Sequence, residues 1–309
     1  MNILVSADFS DAEWAAWWSA LTAALPEDTL VRAPAEAGQV EVALVANPPA
    51  GALAHLPTLR LIQSLWAGVD RLLADPSIPA QVPLARMVEP SMTRAMAQTA
   101  LWAVLGLHRG FFDYAAQQQR QEWRQLDQWR ADEHRVAVLG LGQMGRATAL
   151  QLAQVGYRVC GWSSSAVVLS GVPTSCGPEA LASVLGQADS VVNLLPLTPA
   201  TRGLFRQSLF ELMKPGANLV NLGRGGHVVE ADLIAALDAG RLARAVLDVF
   251  QTEPLPAGST LWVHPQVTVL PHVAASTDPR SASSMVAANV RALRDSKPLA
   301  HLVDRTRGY

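Results

Sequence analysis

Short apolar runs alternate with stretches of helical periodicity along most of the chain. In the first third, apolar runs predict strands at residues 2–5, 41–47 and 59–65. Tryptophan and leucine at helical spacing predict a helix over residues 14–25. Apolar strands separated by helical segments are typical of crossover units in a parallel sheet. The pattern therefore predicts one small α/β domain at the start of the chain.

A second α/β series begins at Arg135. It follows a helical pattern over residues 91–120 and a polar segment over residues 117–133, in which Trp123 and Trp129 are predicted to pack and anchor a surface loop. Apolar runs predict six further strands, in the segments VAVLGLG, YRVCGW, SVVNLLP, ANLVNLG, RAVLDVF and VTVLP. About six parallel strands in about 140 residues is the size of a doubly wound nucleotide-binding domain.

The composition limits the classes of protein that this chain can belong to. Half of the 309 residues are hydrophobic, so the chain has enough apolar material for packed cores. The 26 acidic and 24 basic residues leave a net charge of -2 without a basic stripe, which argues against a nucleic-acid partner. No apolar stretch approaches the ~18 residues of a membrane span, and no basic leader precedes the first strand. The two cysteines form no disulfide framework, and we expect a cytoplasmic protein.

Three glycines follow the first strand of the second series and open a helix. Gly140, Gly142 and Gly145 fit the pattern G-x-G-x-x-G, whose glycines permit a tight turn, close approach of a diphosphate and close packing of helix on strand. The backbone amides of Gln143 and Met144 are expected to point from the helix N-terminus at the diphosphate. The loop therefore predicts a dinucleotide cofactor.

The end of the next strand indicates which dinucleotide is bound. NAD enzymes usually carry an acidic residue there, roughly 20 residues after the glycines, for the ribose 2′-hydroxyl. In this chain Ser163 and Ser164 follow the strand instead. A carboxylate repels a 2′-phosphate and a serine hydroxyl does not, so the sequence favours NADP(H), with NAD(H) as the alternative because the segment carries no Arg or Lys.

Three residues with ionisable side chains each follow a predicted strand of the second series. Arg224, Glu253 and His272 are therefore expected at one edge of the sheet, where doubly wound folds bind ligands. The arginine can bind a carboxylate and polarise a ketone, and a protonated histidine can give a proton to the alkoxide as hydride arrives. The glutamate can hold the other ring nitrogen and favour the imidazolium. The set predicts reduction of a 2-keto acid, and no Cys/His/Asp spacing predicts a metal site.

The chain resembles the D-isomer-specific 2-hydroxyacid dehydrogenase family, most closely its glyoxylate/hydroxypyruvate reductase branch. The matching segments are LGLGQMG, NLLPLTPATRGLF, ELMKPGANLVNLGRGGHVVEADLIAALDAGRL, AVLDVFQTEPLP, PHVAA and VDRTRGY. They cover most of residues 135–309, and these motifs are highly specific. The first third matches more loosely, chiefly through LWAGVDRLL.

The resemblance implies two doubly wound parallel-sheet domains of the α/β class. A Rossmann cofactor domain over residues 99–280 is inserted into a flavodoxin-like substrate domain made of residues 1–98 and 281–309. It also implies a homodimer that reduces small 2-keto acids, glyoxylate to glycolate and hydroxypyruvate to D-glycerate. Arg224 is then the substrate arginine, His272 the acid/base and Glu253 its partner.

The resemblance also implies further contacts. The cofactor is expected to lie against Leu195, Pro196, Thr201, Leu222 and Gly223, with Asp248 near the nicotinamide carboxamide. The backbone N–H groups of Ala67, Gly68 and Val69 are expected to bind the substrate carboxylate. Trp66 stands where many relatives have glycine, and we expect it either to narrow the pocket in favour of small acids or to pack in the core.

Two other functions remain open from the sequence. One is an NAD-dependent dehydrogenase of another D-2-hydroxy acid. The other is a dinucleotide-sensing protein that has kept the fold and lost turnover, although the complete set of Arg224, Glu253 and His272 counts against it.

Overall fold

A computed structural model describes residues 1–33 and 39–309 of the chain. The chain forms two compact units, Met1–Met92 with Thr277–Tyr309 and Thr93–Ser276. The second unit is thus an insertion in the sequence of the first. The observed boundaries lie a few residues before the predicted ones at 98/99 and 280/281, and the assignment of the units to substrate and cofactor stays a prediction.

The regular elements of the described residues are as follows. The strands are β1 (Asn2–Ala7), β2 (Thr29–Val31), β3 (Val42–Ala46), β4 (Leu61–Ser64), β5 (Leu84–Ala85), β6 (Arg135–Leu139), β7 (Arg158–Ser163), β8 (Thr174–Cys176), β9 (Ser190–Asn193), β10 (Ala217–Asn221), β11 (Leu242–Leu247) and β12 (Val267–Val269). The helices are α1 (Asp11–Ala24), α2 (Asp70–Ala74), α3 (Pro90–His108), α4 (Phe111–Gln119), α5 (Gln143–Gln154), α6 (Pro178–Gln187), α7 (Gln207–Phe210), α8 (Glu230–Asp238) and α9 (Pro279–Arg294). No helix among these residues is long and apolar enough to cross a membrane.

The first unit is built on a parallel sheet of five strands in the order β2-β1-β3-β4-β5. This is the flavodoxin-like order, so the predicted fold of this unit is confirmed. Every residue of β3 is buried, as expected for a parallel strand covered on both faces. The predicted strands correspond to β1, β3 and β4. Strands β2 and β5 were not predicted, because three and two residues are too few to show a pattern.

Helix α1 of this unit begins where the sequence provides a cap. The side chain of Ser10 accepts a hydrogen bond from the backbone N–H of Glu13, and the Glu13 carboxylate accepts one from the Ser10 N–H at 2.8 Å. The helix packs against α9, which begins after Asp278 with Pro279 in its first turn. Both termini of the sequence thus contribute to one unit.

The second unit contains a parallel sheet of seven strands in the order β12-β11-β10-β9-β6-β7-β8. From β6 the chain moves outward through β7 and β8, returns to β9 and continues to β12, which is the doubly wound order of dinucleotide-binding domains. The Rossmann prediction is confirmed, with one correction. The sequence predicted about six strands, and the seventh is β8, whose three residues are polar or small and show no apolar run.

Two predictions for residues 91–133 are wrong. The helical pattern over 91–120 forms two helices, α3 and α4, because Gly110 adopts a left-handed conformation with φ of 68° and ends the first. Trp123 and Trp129 do not pack as anchors, since their side chains are 97% and 66% exposed.

Candidate active site

The carboxyl ends of the parallel strands β6, β7, β9, β10, β11 and β12 lie at one edge of the second unit's sheet. Their registers are aligned, since Leu139 of β6 pairs with both Trp162 of β7 and Asn193 of β9. The glycine loop, the serine segment and the three predicted catalytic residues follow these strand ends. In open α/β sheets ligands bind at this edge.

The glycine loop has the geometry of a diphosphate site. Gly140 has a φ of 96°, and a Cβ there would lie 2.6 Å from the carbonyl oxygen of Leu194. A Cβ on Gly145 would overlap the carbonyl oxygen of Gly140, so only glycine lets α5 pack so closely on the loop that follows β6. A Cβ on Gly142 would meet nothing within 4 Å. No side chain caps the first turn at Gly142, so the backbone N–H groups of Gln143 and Met144 can face a diphosphate. The residues of this loop therefore fit a dinucleotide.

The serine segment after β7 is partly ordered by its own hydrogen bond. The Ser163 hydroxyl is nearly buried and donates to the carbonyl oxygen of Ser165 at 2.7 Å. Ser164 is exposed. The predicted contact of these hydroxyl groups with the cofactor stays a prediction.

The loop after β9 is held by Thr201. Its Oγ1 donates to the carbonyl oxygen of Pro196 at 2.7 Å and accepts from the N–H of Thr198 at 2.8 Å. Leu195 in this loop and Leu222 after β10 are buried in the two apolar cores of this unit. These contacts hold the loop that carries Leu195, Pro196 and Thr201. The expected contact of these residues with the cofactor comes from the resemblance alone and stays a prediction.

A buried polar network connects this loop to the loop after β10. The Asn193 Nδ2 donates to Asn221 Oδ1 at 2.8 Å and to His227 Nδ1 at 2.9 Å. The N–H of Arg224 also donates to His227 Nδ1, at 3.2 Å. Since Nδ1 accepts from both, the ring hydrogen is on Nε2, which donates to the Pro196 carbonyl oxygen at 3.2 Å.

This network positions Arg224. The sequence placed His227 beside the arginine and predicted a supporting or packing role for it, but it did not predict the two asparagines that complete the network. Asn221 Nδ2 donates to the carbonyl oxygen of Arg224 at 3.1 Å, so both backbone groups of the arginine are held. The only signal in the sequence is that β9 and β10 each end in asparagine after a run that is otherwise largely apolar. Buried amides at such positions require hydrogen-bond partners.

Arg224 is also held through its neighbour Gly225. A Cβ on Gly225 would overlap the carbonyl group of Phe250, so only glycine lets the loop after β10 contact the loop after β11. The Arg224 side chain donates through Nη1 to the carbonyl oxygen of Gly223 at 2.8 Å. The contact therefore joins the loop that carries the arginine to the loop that carries Glu253.

Glu253 and His272 form a hydrogen-bonded pair. His272 Nδ1 lies 2.7 Å from Glu253 Oε2, and the N–H of Phe250 donates to Oε1 of the same carboxylate at 2.9 Å. Burial raises the pKa of Glu253, but these hydrogen bonds and the charge of Arg224 together lower it below its ordinary value. An ionised Glu253 holds a hydrogen on Nδ1, which leaves Nε2 as the nitrogen that can exchange a proton with a substrate.

Asp248 holds the turn that carries His272. The side chain is 1% exposed, and it accepts from the N–H of Val273 at 2.7 Å and of Ala274 at 3.1 Å. Burial raises the pKa of Asp248 above its ordinary value, while the two N–H groups act in the opposite direction. His272 itself has a φ of 55°, a left-handed conformation that these contacts stabilise. A contact of Asp248 with a nicotinamide carboxamide stays a prediction.

Trp66 lies in the first unit, where its ring packs on aromatic neighbours. The ring centroid lies 5.9 Å from that of Phe9 and 6.1 Å from that of Trp17, both edge to face. The carbonyl oxygen of Trp66 accepts from the N–H of Met87 at 3.1 Å. Packing against Phe9 and Trp17 therefore accounts for part of the role of Trp66. Ala67 and Gly68 are half-buried and Val69 is buried just before α2, and their role in substrate binding stays a prediction.

Comparisons with known proteins agree with this geometry. The sequence profile of the D-isomer specific 2-hydroxyacid dehydrogenase NAD binding domain matches residues 101–274, more than half of the chain. The glyoxylate/hydroxypyruvate reductase A of Serratia proteamaculans is 41% identical over 316 residues, which cover 100% of both chains.

Two solved structures are similar over almost their whole length. A D-isomer specific 2-hydroxyacid dehydrogenase from Xanthobacter autotrophicus Py2, in complex with NADPH and MES, is 40% identical with a TM-score of 0.94 and covers 100% of this chain and 99% of its own. An NADPH-dependent glyoxylate/hydroxypyruvate reductase from Sinorhizobium meliloti, in complex with NADP and sulfate, is 36% identical with a TM-score of 0.93 and the same coverage. With a matching profile and relatives of this similarity, the chain belongs to the D-isomer specific 2-hydroxyacid dehydrogenase family.

Proposed function

We propose that the protein reduces small 2-keto acids with NADPH, converting glyoxylate to glycolate and hydroxypyruvate to D-glycerate. The observation that carries the proposal is the His272–Glu253 pair, which lies at the same sheet edge as Arg224 and the glycine loop. The relatives from Serratia proteamaculans and Sinorhizobium meliloti are named as reductases of these two acids, which supports the choice of substrate.

Arg224 binds and orients the substrate in this proposal. Its guanidinium has five N–H donors in a planar fork that matches a carboxylate. The same positive charge, placed beside the C2 carbonyl, polarises the ketone and stabilises the negative charge that develops on its oxygen. The two backbone hydrogen bonds from Asn221 and to His227 keep the guanidinium's attachment point fixed.

His272 supplies the proton. When bound, the reduced nicotinamide would supply a hydride, that is, one proton with two electrons, to C2 of the keto acid. His272 Nε2 gives its proton to the ketone oxygen, which becomes the hydroxyl group of the product, and the ring is left neutral. The Nδ1 hydrogen stays in its 2.7 Å contact with Glu253, and solvent then returns a proton to Nε2.

Steady-state kinetics test the proposal. We expect the purified protein to oxidise NADPH with glyoxylate and with hydroxypyruvate, and to have a lower kcat/KM with NADH. His272→Ala is expected to lower kcat by about 10²–10⁴-fold, the usual contribution of one general acid. Absence of turnover with every small 2-keto acid, while the dinucleotide still binds, would instead support a sensing role. Efficient turnover with NADH alone would support an NAD-dependent dehydrogenase.

We propose further that the protein works as a homodimer in the cytoplasm. Four aromatic side chains between residues 102 and 129 are exposed, and aromatic residues at the surface are typical of protein interfaces. They are Trp102, Phe111, Trp123 and Trp129. Both cysteines are free thiols, which fits a reducing compartment.

Light scattering tests the dimer. We expect twice the mass of one chain, and we expect Trp123→Ser to increase the monomer fraction. Val263→Ser replaces another exposed apolar residue of the same unit outside this aromatic group, and it should leave the mass unchanged. A monomeric wild type would contradict the dimer, and cell fractionation of the tagged protein tests the compartment.

A further inference from the structure

Arg146 lies in the first turn of α5 and reaches two loops of the candidate cofactor site. Its Nε donates to the carbonyl oxygen of Leu141, between the first two glycines of the loop, at 3.1 Å. Its Nη1 donates to the carbonyl oxygen of Val168, in the segment that follows β7, at 3.4 Å. The guanidinium therefore lies between the glycine loop and Val168, which is three residues beyond the last of the three serines that follow β7.

These two loops enclose the position of the adenosine ribose in a doubly wound dinucleotide site. The residue at the end of the second strand faces the ribose 2′-oxygen, and here that strand is β7 and its last residue is Ser163. Residues 163–170 read SSSAVVLS, without an acidic or a basic side chain. A 2′-phosphate bound there needs a positive charge, and that charge has to come from another part of the chain.

Arg146 meets this requirement by charge and by exposure. Both of its hydrogen-bond partners are neutral carbonyl groups, and within residues 1–33 and 39–309 no carboxylate forms an ion pair with it. The residue is exposed, so a ligand can approach the guanidinium. Arginine binds phosphate in a bidentate manner with the donors of its planar fork.

The other arginine near this strand is in the wrong place. Arg158 is the first residue of β7 and pairs with Arg135 at the amino end of β6. Five residues of strand separate it from Ser163, which at ~3.3 Å per residue places it roughly 16 Å from the serine segment. Arg158 is therefore a matched control, because it is an arginine close in sequence at the opposite edge of the sheet.

We propose that Arg146 is the specificity residue for NADP(H), and that it pairs with the 2′-phosphate of the adenosine ribose alongside the hydroxyls of Ser164 and Ser165. The inference rests on the proposed function, because it takes NADPH as the cofactor. It assigns to a helix residue the charge that is absent from the serine segment.

Calorimetric titration with two nucleotides tests the pairing without turnover. The probes are adenosine 2′,5′-bisphosphate, which has the 2′-phosphate, and adenosine 5′-monophosphate, which lacks it. We expect the wild type to bind the bisphosphate more tightly. Arg146→Gln should reduce that preference by about 10- to 100-fold, as for loss of a charge-assisted hydrogen bond, whereas Arg146→Lys should keep part of it. Arg158→Gln should keep all of it.

The outcomes separate this inference from the proposed function. If the wild type binds the two nucleotides equally tightly, it has no preference for the 2′-phosphate. This result would contradict both the use of NADPH in the proposed function and the assignment of Arg146. If the wild type distinguishes them and Arg146→Gln does so equally well, the assignment of Arg146 is overturned while the reductase function stands. Because the monophosphate reports any general damage to the loop, the ratio of the two affinities is the measured quantity.

Discussion

The interaction between Glu253 and His272 leads to a quantitative prediction for Glu253→Gln. The carboxylate accepts two hydrogen bonds, one from the N–H of Phe250 and one from His272 Nδ1. A carboxamide has one oxygen and one NH₂ group. If the oxygen faces Phe250, the NH₂ group faces Nδ1, and the histidine is held in the neutral tautomer with its hydrogen on Nε2. The charged imidazolium that gives the proton in the proposed mechanism is then disfavoured.

The size of the effect follows from the lost hydrogen bond. A hydrogen bond to a charged group contributes about 1.5–3 kcal/mol net. The His272 and Glu253 side chains are 50% and 33% exposed, so solvent screening reduces the effect toward the lower part of that range. At 1.36 kcal/mol per tenfold in rate, about 1.5–2 kcal/mol lowers kcat by about 10- to 30-fold.

The assay is the loss of NADPH absorbance with saturating glyoxylate. We expect kcat to fall while the KM for NADPH stays within about twofold, because the glutamate contacts the histidine and not the cofactor site. Glu230→Gln is the control. The Glu230 carboxylate also binds the loop that carries Glu253, because it accepts a hydrogen bond from the N–H of Gln251 at 2.9 Å. The control should keep kcat within about twofold. A Glu253→Gln enzyme with the kcat of the wild type would refute the reasoning.

Three further predictions concern substrate binding, selectivity and stability. Arg224→Ala should lower kcat/KM for glyoxylate by about 10- to 100-fold with a higher KM, and an unchanged KM would contradict carboxylate binding. Trp66→Gly should raise kcat/KM for bulkier 2-keto acids relative to glyoxylate, and an unchanged ranking would contradict a role in selectivity. The Asp28 side chain is 2% exposed and binds both the Met1 amine and Arg294, so Asp28→Asn should lower the free energy of unfolding by about 3 kcal/mol in urea titrations near neutral pH. The neighbouring Glu27, 77% exposed and paired with the same arginine, is the control, and Glu27→Gln should cost less than about 1 kcal/mol. Burial raises the pKa of Asp28, but Arg294 and the Met1 amine lower it below 3.8, so its contribution is present above that pH and is lost as the pH falls through the lowered value. Equal losses in the two variants would contradict the buried pair.

The sequence was most informative where function requires a residue directly after a strand. The glycine loop, Arg224, Glu253 and His272 each follow an apolar run, and the ends of parallel strands necessarily lie at one edge of the sheet. Only the order of residues along the chain was needed to group them. The pairing of His272 with Glu253 was expected from their chemistry and from the resemblance. Its length of 2.7 Å could not be predicted, because it depends on the shapes of two loops.

Other features of the structure could not be predicted from the pattern of hydrophobic and polar residues. Strands β2, β5 and β8 have two or three residues, which are too few to show a repeating pattern of hydrophobic positions. The separation of α3 from α4 depends on the left-handed Gly110. The contact of Arg146 with Val168 depends on the reach of a long side chain across 22 residues of sequence. The contact of His227 with Asn193 joins two buried side chains that are 34 residues apart in the sequence.

The contact between Gly225 and Phe250 limits how this enzyme can evolve. Any side chain at Gly225 would push apart the loops that carry Arg224 and Glu253. The proposed substrate arginine and the proposed acid/base pair therefore keep their relative positions only while Gly225 is retained. If the proposed roles hold, we expect mutations that change the accepted substrate at positions outside these two loops, for example at Trp66. Laboratory evolution toward larger acids should accumulate its changes there and leave Gly225 untouched.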